Sequence, residues 1–194
     1  MDEITAQTQN ELQRMEPIVE EITGLRSRWS GVVELIPHAD FKGKKPFSCS
    51  ILIDASLAHE EARWRTFLHE LLHAVSAGYI PSDYRALLGW EEGVVEGLQR
   101  LLRSDVLARL GINVAEDVFR IMEERHPFNR HIEALERIRE TLNLPTPSFY
   151  LDLLRTPIRD RPAYLFGLGN ALSGARRKSF VRVYSLADAT LRRL

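Results

Sequence analysis

Apolar positions recur along this chain at two kinds of spacing, and each predicts an element. Between residues 2 and 22, Ile4, Leu12, Met15, Val19 and Ile22 fall at loosely helical intervals among glutamates, with Gly24 just beyond as a stop. That pattern predicts a surface helix. GVVELIPH (31–38) and FSCSILIDAS (47–56) are β-branched or alternating runs, separated by the turn-forming DFKGKKPF, and they predict two antiparallel strands.

Helical spacing then takes over. In AHEEARWRTFLHELLHAVSAG (58–78), Trp64, Phe67, Leu68, Leu71, Leu72 and Val75 lie at i, i+3, i+4, i+7 and i+8 before Gly78 and Pro81. This predicts a buried helix of about five turns. GWEEGVVEGLQRLLRSDVLARLG (89–111) predicts a second long helix, ended by Gly111, with Val94, Val95, Leu98, Leu101, Leu102, Val106 and Leu107 facing inward. Residues 113–142 read as two helices broken near Pro127, and TPSFYLDLLRTP (146–157) as a short one between prolines. No period repeats and no segment is of low complexity. The class expected is α+β in a single domain, 1–194: a small antiparallel sheet and a central helix in 1–78, and a mainly helical part, 79–194, completing a cleft.

Composition narrows the chemistry. A net charge of −1 predicts no strong overall attraction to nucleic acid or membrane. The last stretch, 171–194, carries Arg176, Arg177, Lys178, Arg182, Arg192 and Arg193 against Asp188 alone, a net of +5. At that modest excess, the stretch reads as a solvated surface rather than a nucleic-acid site. Cys49 is the only cysteine, so an internal disulfide and a cysteine-based zinc knuckle are both excluded, and any metal must use His, Asp or Glu. The N-terminus has no apolar core of a signal, and no run approaches the ~18 apolar residues of a membrane span, so the expectation is a soluble cytoplasmic protein with no membrane partner.

The chemistry sits in TFLHELLHAV (66–75). His69 and His73, four apart on a helix, share a face with Cβ atoms ~5–6 Å apart, so both imidazoles can grip one ion. A catalytic zinc takes three protein ligands and leaves one position to water, so a third ligand is needed. With eighteen residues between it and His73, Glu92 of GWEEGVVEG stands directly before a glycine, with Glu91 as its adjacent competitor.

HELLH, eighteen residues, then the Glu of WEEG resembles the ligand pattern of the gluzincin metallopeptidases. The resemblance covers about residues 47–103 and implies a zincin-like fold, a bound Zn²⁺ and Glu92 as third ligand. It implies further that Glu96, one turn on, orients a ligand histidine, and that the strand SCSILID is the sheet edge along which a peptide adds. Zinc chemistry then makes Glu70 the general base and acid. An oxyanion donor from Tyr, His or Arg is also required; His126, His131, Tyr150 and Tyr164 are candidates that no spacing separates. His38 and His59 are weaker candidates for any metal role.

Related patterns are tested by what is absent. The metzincin motif needs Gly and His where this chain has Ser76 and Tyr79, and the G-x-M-E-N signature of the large aminopeptidases is missing. The run from ILIDAS into HEEARWRTFLHELLHAV is also similar to the ImmA/IrrE-type intracellular peptidases, so the subfamily stays open. Three functions follow: a zinc endopeptidase acting on a protein or peptide substrate, a zinc-bound regulatory or binding module with dormant or no peptidase activity, or a helix whose two histidines are ordinary.

Overall fold

In the computed structural model, residues 2–47 and 49–192 are described. Ser48, within the predicted 47–56 strand, and Arg193, in the basic C-terminal stretch, lie outside the described residues. The fold is α+β, with a small mixed sheet among many helices.

The first helix, α1 (Glu3–Thr23), starts where the Asp2 side chain accepts the Thr5 backbone N–H. It ends where Gly24, in the left-handed conformation, donates to the Glu20 carbonyl. Its buried stripe is Thr8, Leu12, Met15, Val19 and Thr23, while Ile4 and Ile22 are half-buried.

The strands correct the sequence reading. β1 (Val33–Ile36) pairs parallel, not antiparallel, with β3 (Ile51–Asp54), and the two-residue β2 (Gly43–Lys44) pairs antiparallel with β3 from the other side. The order is β1-β3-β2, so β3 is central. A parallel pair needs a crossover rather than a hairpin, and the 37–50 connection supplies it while β2, inside the predicted turn, takes the antiparallel partnership. Ile51–Asp54 of SCSILID therefore form no sheet edge; among the described residues the edges are β1 and β2.

The second helix, α2 (Arg63–Val75), is 13 residues long and shorter than expected, because Leu57–His59 form a separate 3₁₀ turn and Glu60 is extended. Every residue from Trp64 to Val75 is buried. After α3 (Pro81–Ala86), α4 (Leu88–Leu110) runs 23 residues. Val94, Val95, Leu98, Val106 and Leu107 are buried as expected, but Leu101 is exposed and Leu102 half-buried. The reason is polar: Gln99 and Arg103 are buried two positions to either side of Leu101, which puts Leu101 on the opposite face. Five helices follow: α5 (Glu116–Glu123), α6 (Asn129–Leu142), α7 (Thr146–Arg155), α8 (Arg161–Asn170) and α9 (Gly174–Leu191). The break near Pro127 and the helix between prolines occur as predicted; α8 and α9 were not legible.

The chain gathers into two units. One holds the residues up to Val75 with Gln99–Glu124. There α1 packs on α2 and β1, the bidentate pair of Arg63 with Glu11 (2.9 and 3.0 Å) ties α2 to α1, and Arg103 reaches Glu116 and Glu123 beside the Phe119 ring. The other holds Ser76–Leu98 and the chain from Arg125 onward. Within it α6 lies along α9, and the start of α4 is approached closely by its neighbours through glycines. A Cβ at Gly93 would sit 3.0 Å from Leu135 and 3.1 Å from His131, and one at Gly97 would sit 2.5 Å from the Tyr150 ring. The glycine after Glu92 thus has a packing role of its own.

Candidate metal centre

Four-residue spacing on a helix gives the first half of the site. His69 and His73 lie one turn apart on α2, their Nε2 atoms 3.2 Å from one another and their rings edge to face at 4.8 Å. Two ligand atoms on one tetrahedral zinc, each about 2.0–2.1 Å from it, are separated by roughly 3.3 Å. The two nitrogens already stand at that separation. Glu92 is in the second turn of α4, and one ligand atom from each of His69, His73 and Glu92 falls within 4.8 Å of the others. His73 and Glu92 are each 3% exposed and His69 is 9% exposed. The grouping is buried and offers two imidazole nitrogens and one carboxylate, a donor set that suits a divalent zinc-like ion.

No protein-family model, no curated protein and no solved structure matches this chain.

Glu91, adjacent to Glu92, is fully buried and committed elsewhere. Its Oε2 accepts from Arg161 at 2.6 Å and from the Ser76 hydroxyl at 2.9 Å, while Arg161 also donates to Ser76 Oγ at 2.7 Å. Burial pulls the Arg161 pKa down, and the charge and hydrogen bond of Glu91 hold it up. Successive residues on a helix point about 100° apart, so the two glutamates serve different partners.

Glu70 follows His69 and is buried on α2, against the edge strand β2. A Cβ built at Gly43 would meet Glu70 Oε1 at 2.8 Å and Thr66 Cγ2 at 2.4 Å, so that strand approaches the carboxylate as only glycine allows. Glu96 is fully buried one turn beyond Glu92 on the same face of α4.

The oxyanion candidates separate by position. His131 is buried and stacked on Phe128, against the glycines of α4, and Tyr150 is buried against Gly97. His126 meets Phe128 edge-on and Tyr164 is half-buried on α8. His38 and His59 are exposed. None of these six belongs to the metal-type grouping found among the described residues.

Two residues that the sequence did not single out adjoin the site. The Tyr84 hydroxyl on α3 donates to Glu92 Oε1 at 2.5 Å; burial first, and the Glu92 charge second, push its pKa up and keep it protonated. Arg161 is the other. Its signal was present in WEEGVV, since a glutamate buried in an apolar run requires a cation, but which cation answers it is decided in three dimensions.

Proposed function

We propose that this chain is a zinc-dependent metallopeptidase of the gluzincin type, a zincin-like endopeptidase hydrolysing peptide bonds in a protein or peptide substrate. The observation that carries the reading is the convergence of His69, His73 and Glu92 with the buried Glu70 next to the first ligand. His69, His73 and Glu92 would hold the ion. Bound zinc supplies Lewis acidity, polarising a substrate carbonyl and lowering the pKa of water to about 7.

The chain's own residues do the rest. Glu70 accepts a proton from the attacking water and returns it to the leaving amine, which converts a poor leaving group into a neutral one. Its carboxylate, on buried α2, is approached so closely by Gly43 that a Cβ there would lie 2.8 Å from Oε1. An extended peptide lies along β2, the sheet edge nearest Glu70. Glu96, buried on the ligand face of α4, supports the site from behind.

Glu70→Gln tests this reading. It keeps the shape of the site and removes the base, so zinc content should stay unchanged while cleavage of a mixed peptide library falls by about 10²–10⁴-fold. Zinc-loaded wild type that cleaves nothing in the library, or a Glu70→Gln variant as active as wild type, would overturn the peptidase reading.

A further inference from the structure

The segment joining the two ligand-bearing helices is pinned where it leaves α2. Ala77 donates to the Leu154 carbonyl at 3.0 Å and accepts from the Ile158 N–H at 3.1 Å. Gly78 is in the left-handed region, and a Cβ there would meet Pro157 and Ile158 at 3.0–3.1 Å. At the other end the Leu87 N–H donates to the Asp83 carbonyl, closing α3 directly before α4 begins. Between these anchors the Tyr84 ring meets Tyr79 edge to face at 5.3 Å, and its hydroxyl reaches Glu92 Oε1. Tyr84 is held on a braced segment with its donor aimed at one particular oxygen.

That choice of oxygen matters because a carboxylate can bind a metal through one oxygen or both. With two imidazoles already present, binding through both would fill the fourth position of a tetrahedral site and close it to water. We propose that Tyr84 is a positioning residue of the metal centre: by donating to Oε1 of Glu92, it turns the other oxygen to the ion and holds the carboxylate to one-oxygen coordination. This rests on reading His69, His73 and Glu92 as a metal site. Tyr84 touches the ligand and not the substrate, so it acts on metal binding before any reaction.

The experiment compares wild type with Tyr84→Phe, which removes one oxygen and keeps the ring. Zinc affinity is measured by competition with a chromophoric chelator, the visible spectrum is recorded after loading with Co²⁺, and a thermal melt is taken on the metal-free protein. Loss of a ligand's hydrogen-bond partner typically weakens metal binding by about 10–100-fold. The expected result is a fall of that order in zinc affinity, together with a changed Co²⁺ spectrum. Equal affinity and an identical spectrum would overturn the inference, and so would a lowered melting temperature with both metal readouts unmoved, the mark of a merely structural tyrosine. Wild type that binds no zinc refutes the underlying metal site instead, and the inference falls with it, an outcome told apart by the wild-type titration alone.

Discussion

Glu91 and Glu92 are adjacent carboxyl groups and almost fully buried, an arrangement that stands only if each meets its own polar partner. Arg161 answers Glu91, and the Tyr84 hydroxyl donates to Glu92. Glu70 on α2 is likewise crowded, here by a strand residue with no side chain, Gly43. Gly43→Ala therefore forces a methyl into contact with Thr66 and Glu70. It is expected to cost about 1–3 kcal/mol of stability, as overpacking does, and to reduce cleavage while leaving zinc content alone. Urea denaturation and metal analysis check this; unchanged stability and unchanged cleavage would show that the backbone of β2 does not constrain the base.

Among the elements, helices with an apolar stripe were legible and those without one were not. The period of Trp64, Phe67, Leu71 and Val75 marked α2, although its start moved because Leu57–His59 turn separately. The basic, largely exposed first turns of α9 gave no stripe to read. β1 and β3 were legible, while β2, read as part of a turn, and the pairing were not, since alternation within β1 and β3 says which face is buried and nothing about direction. Arg161 belongs to this scale, because it links the segment after α2, the start of α4 and the Thr156 carbonyl before α8. Arg161→Met leaves Glu91 buried without its cation, and a loss of about 3–5 kcal/mol is expected. Combining it with Glu91→Gln is expected to restore much of that loss in the same denaturation assay. If the single change costs nothing, the pair does not brace these segments.

For the whole molecule, composition excluded disulfides and cysteine-held metal, and no helix among the described residues is long and apolar enough to cross a membrane. The ligand candidates were legible because helical geometry converts a four-residue interval into a shared face. Glu92 was named only through the interval that resembles the gluzincin pattern, and that one of its ligand atoms lies within 4.8 Å of theirs is a fact of three dimensions. Tyr84 and Arg161 were illegible for the same reason: each acts through a partner distant in pattern, and neither belongs to a periodic stripe. In the proposed site three side chains from α2 and α4, His69, His73 and Glu92, hold one zinc ion. Metal analysis of zinc-equilibrated, exhaustively dialysed protein tests it most directly, comparing wild type with His73→Ala and Glu92→Ala. The account predicts about one zinc per chain in wild type, the number expected of a single three-ligand site, and loss of that zinc in both variants; wild type without zinc, or variants that retain it fully, would contradict it.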